Sequence, residues 1–161
     1  GVASGFPLSL LVCREEIASA KPFANPSGSS SSYGGNPLAS AAALATLEVI
    51  LDEDLTSNSR RQGEKFLAHL RGLQKKYPFI GEVRGQGLFL AMELVEDRKT
   101  KKPMAAAKTM ELFKIGVKRG FLAMTYAAAV RFQPALNITD EELTQGLRLL
   151  DESLEEFSKT L

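Results

Sequence analysis

A run of serines, two glycines and an Asn-Pro step lead directly into a long apolar segment, SSSSYGGNPLASAAALATLEVI at residues 29–50. Asn36 suits a helix N-cap and Pro37 the first helical position, where its missing N–H would lack a partner in any case. The serines and glycines ahead of it place hydroxyls and backbone N–H groups beside the positive end of a helix. That setting favours an anion such as phosphate, although a polar turn without a ligand fits the same residues. Residues 37–51 are apolar on nearly every face. Such a helix is expected to be buried all round, between layers or against another chain.

The remaining pattern alternates short strands with helices. Residues 7–13 (PLSLLVC) read as an apolar strand with Cys13 as a buried small hydrophobe. A brief helix at 14–20 and a Pro/Ser/Gly loop at 21–35 follow, the loop long enough to suggest a functional one. Residues 55–77 place Phe66, Leu70, Leu73 and Tyr77 on one helical stripe. His69, the only histidine, falls on the polar side and is expected to be solvated. Strands at 80–84 and 88–95 precede a charged, solvated connection at 96–103. A helix at 106–119 would turn Ala106, Met110, Phe113 and Val117 inward and stop at Gly120. Strands at 121–125 and 130–132 are joined by a turn at 126–129. Thr139 and Glu142 then form a capping box for a last helix bearing Leu143, Leu147, Leu150, Leu154 and Phe157. This order predicts an α/β (α+β) fold, a small and mostly antiparallel sheet covered by helices.

Charge excludes several functions. The net charge is +1 over 161 residues with both signs interspersed, which leaves no nucleic-acid or membrane-surface footprint. The apolar segment 37–51 is too short and polar to span a bilayer. No secretory leader is read ahead of the first strand. A single cysteine excludes an internal disulfide and fits a reducing compartment, with the cytoplasm as the default. One His and one Cys cannot build a Cys/His zinc cluster or a Cys–His dyad, so no metal site is expected.

Four segments carry a resemblance. GVASGFPLS (1–9), SYGGNPLASAAALATLEVI (32–50), GEVRGQGLFLAMEL (81–94) and VRFQPALNITDEEL (130–143) stand in the order and rough spacing of the class III aminotransferases. The chain resembles these omega-type, GABA/ornithine-like pyridoxal-phosphate enzymes over essentially its whole length. The resemblance implies the carboxy-terminal part of a fold-type I enzyme. Residues 1–52 would be the end of the large cofactor-binding domain with an interface helix, and 53–161 the C-terminal small domain. It implies pyridoxal 5'-phosphate as cofactor, an amino acid or omega-amino compound as donor, and a 2-oxo acid as acceptor. It also implies a homodimer with shared active sites.

Two positions carry the expected binding roles. Ser32 matches the residue whose hydroxyl holds the phosphate of a neighbouring subunit's cofactor, with Tyr33 beside it. The family more often has Thr there, and Ser keeps the hydroxyl. Arg131 matches the arginine that clamps a substrate carboxylate, for which a planar fork is suited. In members acting on amines it would receive the keto-acid acceptor instead. Its other reading is an ion pair with Glu93 or a helix acid. Pro134-Ala135-Leu136 stands where the family often has Pro-Pro-Leu. Arg84, among Gly81, Gly85 and Gly87, is read as structural.

The cofactor-bearing lysine would be the residue immediately before Gly1. No catalytic residue is therefore expected within the chain, and the segment alone is expected to be inactive. An aminomutase or an amino-acid racemase of the same fold would carry nearly identical motifs. Outside the enzymes, a non-catalytic truncated dimerisation fragment fits.

Overall fold

The computed structural model describes residues 1–28 and 30–161, which divide into two compact units, Gly1–Asp54 and Leu55–Leu161. Ser29, inside the predicted 21–35 loop, lies outside the described residues.

The first unit holds α1 (Glu15–Ala18) and α2 (Pro37–Asp52). Asn36 is extended (φ −61°, ψ 141°), and its Oδ1 accepts the Ala39 N–H at 2.9 Å, the N-cap expected of Asn before Pro. The expected strand at 7–13 does not form. A strand exists only through ladder partners, and among its described residues this unit contains no other strand. Leu10, Leu11, Val12 and Cys13 are all exposed, Val12 at 91%, so Cys13 is not a buried hydrophobe. The chain does not supply the all-round burial expected of α2 either. Only Ala39 and Ala43 are buried, while Leu44, Leu47 and Leu51 form an exposed stripe.

The second unit runs α3 (Leu55–Lys76), β1 (Ile80–Gln86), β2 (Phe89–Asp97), β3 (Lys102–Pro103), α4 (Ala106–Lys118), β4 (Met124–Tyr126), β5 (Ala129–Phe132) and α5 (Asp140–Ser158). The sheet has the order β1-β2-β5-β4 with every pairing antiparallel, and β3 pairs with the far end of β2. Alternation sends Leu90, Met92 and Leu94 of β2 and Val130 and Phe132 of β5 to one face. There they join Phe66, Leu70 and Leu73 of α3, Leu112 and Ile115 of α4, and Leu150, Leu154 and Phe157 of α5 in one core. Each fully buried Leu or Phe of this kind contributes about 1.5–3 kcal/mol. The capping box forms as expected: the Glu142 N–H donates to Thr139 Oγ1 at 3.2 Å, and the Thr139 N–H donates to Glu142 Oε2 at 2.9 Å.

Several expectations shift. On α4 the buried residues are Thr109, Leu112, Ile115 and Gly116, while Met110 and Val117 face out. The helix has apolar residues on both sides, and Thr109 can enter the core because its hydroxyl reaches the Ala105 carbonyl one turn back. The strand expected at 121–125 begins only at Met124. His69 is not simply solvated: its Nε2 lies 2.7 Å from Asp151 Oδ1 on α5, and its side chain is 31% exposed. The charged connection after β2 is anchored by Arg98. Its Nη2 lies within hydrogen-bond distance of the carbonyls of Gln74 (2.6 Å) in the last turn of α3, of Tyr77 (2.8 Å) just past it, and of Ile80 (2.8 Å) at the start of β1.

Candidate active site

In the first unit, the segment ahead of α2 is a tight turn closed by backbone bonds. Gly34 N–H donates to the Ser31 carbonyl at 3.1 Å, and Asn36 N–H and Nδ2 both reach the Tyr33 carbonyl, at 3.3 and 3.1 Å. Gly35 takes φ +70°, a conformation that glycine adopts without steric cost and that lets the chain bend into the helix. Ser32 and Tyr33 occupy the outside of this turn, both exposed, Tyr33 at 83%. The Ser32 hydroxyl has no hydrogen-bond partner among the described residues. It therefore stands as a free donor at the N-terminus of the 16-residue α2.

In the second unit, one sheet face is buried under the helices and the other is open. The register puts Arg84, Ala91 and Arg131 in one row across β1, β2 and β5, with Met124 of β4 beyond. A groove of about 580 Å³ runs over this face, lined by Arg84, Gln86, Phe89, Ala91, Tyr126 and Arg131. Ala91 keeps the floor low between the two arginines.

The two guanidiniums are treated differently. Arg84 Nη2 meets Glu93 Oε1 at 2.6 Å, and Nη1 lies 3.6 Å from Glu82 Oε1. The hydrogen bond and charge of Glu93 hold the Arg84 pKa above its ordinary value. Glu93, an acid that would neutralise Arg131, is thus engaged elsewhere. Arg131 has no acidic partner among the described residues. Its Nη2 donates to Tyr126 Oη at 2.8 Å, its Cζ lies 4.4 Å from the Tyr126 ring centroid and 6.0 Å from that of Phe89, and its buried Nε has no partner. An uncompensated guanidinium at the edge of an open groove is suited to an anion of matching planar shape.

Tyr126 and Phe89 are not apparent from motif reading. Strand parity is the signal that finds them. Across the short turn after Tyr126, antiparallel pairing places Tyr126 opposite Ala129 and hence on the same face as Arg131.

The class-III aminotransferase family model matches residues 1–154. The Caenorhabditis elegans ethanolamine-phosphate phospho-lyase homolog 1 is 33% identical over 95% of this chain and 33% of its own length. The Pseudomonas aeruginosa 5-aminovalerate aminotransferase is 37% identical over 98% of this chain and 37% of its own. The Thermococcus litoralis leucine/methionine racemase is 34% identical over 95% of this chain and 34% of its own. Among solved structures, an amine transaminase from an uncultivated Pseudomonas species in its pyridoxal-phosphate-bound form matches with a TM-score of 0.76. It is 30% identical, over 87% of this chain and 32% of that one. The chain spans about a third of the length of the curated relatives it matches. With a family model covering nearly every residue and transaminases among both relatives and folds, the chain belongs to the class-III aminotransferases.

Proposed function

We propose that the protein carrying this chain is a pyridoxal-phosphate-dependent aminotransferase that moves an amino group from an amino acid or omega-amino compound to a 2-oxo acid. The observation that carries the reading is Arg131, a guanidinium in the groove that no acid of the described residues neutralises. Arg131 would bind the substrate carboxylate and orient the rest of the molecule. A bidentate guanidinium–carboxylate pair fixes direction as well as position.

The donor set ahead of α2 fits the cofactor's phosphate. Ser32 offers an unengaged hydroxyl beside the N-terminus of a capped helix, where a dianion is favoured. Ser32 would hold that phosphate across a twofold interface, with Tyr33 flanking it. Bound pyridoxal phosphate would supply the electron sink for amino-group transfer. The uncovered leucines of α2 support a homodimer, because an obligate interface buries large apolar surface. The lone free cysteine is in keeping with the cytoplasm.

The racemase among the relatives favours a second reading, since a carboxylate clamp at Arg131 serves racemisation of an amino acid equally well. Product analysis separates the two: transfer of nitrogen to a 2-oxo acid against inversion without transfer. In the complete protein, Arg131→Ala should raise KM for carboxylate substrates far more than it weakens cofactor retention. Ser32→Ala should do the opposite. A protein that stays colourless after the coenzyme is supplied overturns the proposal.

A further inference from the structure

The open sheet face carries two arginines, and their partners differ in kind. Arg84 is paired with carboxylates, whereas the group bonded to Arg131 is a neutral phenol. The difference has a chemical consequence. A carboxylate partner would neutralise Arg131 and compete for the same donors that a substrate needs. A phenol oxygen accepts one N–H and leaves the positive charge whole.

Tyr126 engages the guanidinium twice, by its Oη at 2.8 Å and by its ring, 4.4 Å from Cζ. The register explains how both are possible. Arg131 pairs with Met124 on β4 and with Ala91 on β2, so Tyr126 and Phe89, each two residues along, are its diagonal neighbours on the same face. The guanidinium lies between two aromatic rings, with Tyr126 the nearer and the hydrogen-bonded one.

Resting on the assignment of Arg131 to a substrate carboxylate, we infer that Tyr126 is a positioning residue that pre-orients the Arg131 fork and thereby sets carboxylate affinity. A free arginine side chain loses rotamer freedom when a ligand fixes it. An arginine already held by a ring and a hydroxyl gives up less on binding, which is the general advantage of preorganisation. The ring contributes attraction to the cation without diminishing its charge. Tyr126 itself touches no reacting atom in this assignment and acts through Arg131.

The test uses the complete, cofactor-loaded protein and two probes of the same shape, valerate and its uncharged amide valeramide, with affinities read by titration calorimetry. Tyr126→Phe removes the hydroxyl and should weaken valerate about fivefold, the equivalent of one ordinary hydrogen bond. Tyr126→Ala removes the ring as well and should weaken valerate by about twentyfold or more. Valeramide affinity should not move in either variant, and kcat with a carboxylate-bearing donor should fall much less than KM rises. If valerate is unaffected in Tyr126→Ala but weakened in Arg131→Ala, the role of Tyr126 is wrong while the carboxylate assignment stands. If Arg131→Ala leaves valerate unchanged, or the unaltered protein binds none, both assignments fall. Parallel loss of valerate and valeramide would mark Tyr126 as merely structural and overturn the inference. Should the alanine variant not fold, Tyr126→Phe decides alone.

Discussion

Gly63, in the middle of α3, lies directly against Gly87 in the turn joining β1 to β2. A Cβ built on Gly63 would overlap the Gly87 carbonyl, and beside it the Leu88 N–H donates to Ser59 Oγ at 3.1 Å. Helix and turn touch backbone to backbone, which fixes where β1 and β2 enter the sheet. Replacing a mid-helix glycine by alanine ordinarily stabilises by about 1 kcal/mol. At Gly63 the sign should reverse, and Gly63→Ala should destabilise by about 1–3 kcal/mol through forced displacement. Gly72, on the same helix with nothing near its missing Cβ, is the control. Gly72→Ala should raise the urea midpoint while Gly63→Ala lowers it, and equal signs would refute the contact.

Arg98 makes a different prediction. A single Nη2 serves the Gln74, Tyr77 and Ile80 carbonyls, tying the end of α3 to the start of β1. Arg98→Ala leaves those carbonyls to water and removes a cation from a helix C-terminus. It should cost about 1.5–3 kcal/mol, measured by thermal unfolding. Arg98→Lys should recover part of this, because one ammonium nitrogen offers donors to the same three acceptors but on a more flexible stem.

These two contacts also mark where sequence reading stops. The last helix and its capping box were legible because Thr139 and Glu142 sit three residues apart ahead of an apolar stripe. The stripe on α3 was legible for the same reason of period. The inward face of α4 was not, because Thr109 enters the core by satisfying its own hydroxyl, a choice decided by packing rather than by residue class. The exposure of Cys13 was not legible, because an apolar run implies burial only if something covers it. Arg131 could be singled out by its motif, but its partner could not. Whether Glu93 would pair with Arg131 or Arg84 depends on register, and register is a tertiary outcome.

Acid should weaken the second unit in a predictable direction. The Thr139 N–H, and then its hydroxyl, hold the Glu142 pKa below its ordinary 4.5. The Thr100 N–H and hydroxyl do the same to Asp97, whose ordinary value is 3.8. A carboxyl with a depressed folded-state pKa binds fewer protons folded than unfolded. Its contribution is therefore complete above the unfolded value and is lost as pH falls through the folded one. The urea midpoint should decline below about pH 5, and Glu142→Gln should show a shallower decline. An identical acid slope in that variant would remove Glu142 from the account.

The turn after β4 carries strain that one substitution should relieve. Ala127 takes φ +49°, in the left-handed region that a Cβ disfavours. Ala127→Gly should stabilise by about 0.5–1 kcal/mol despite the greater freedom of glycine in the unfolded chain. Because Tyr126 immediately precedes this turn, valerate affinity provides the check that relief of strain leaves the Arg131 site in place. A lowered melting temperature would argue against the left-handed conformation.

The exposed leucines of α2 should decide the oligomeric state. Leu44, Leu47 and Leu51 follow one another at helical spacing, and Leu51 is 74% exposed. An apolar stripe of this kind is rarely left to water by a stable monomer. A charge placed in its middle would have to be desolvated on association, so on the proposed homodimer Leu47→Glu should shift the complete protein from dimer toward monomer in sedimentation velocity. The position of Ser32 at the head of the same helix adds a second consequence. If its hydroxyl completes a site on the twofold partner, Leu47→Glu should release the coenzyme along with the partner, although residue 47 lies well along α2 rather than in the turn that carries Ser32. Monomers that keep the coenzyme as tightly as dimers would show that each subunit completes its own site, and Ser32 would then serve its own chain.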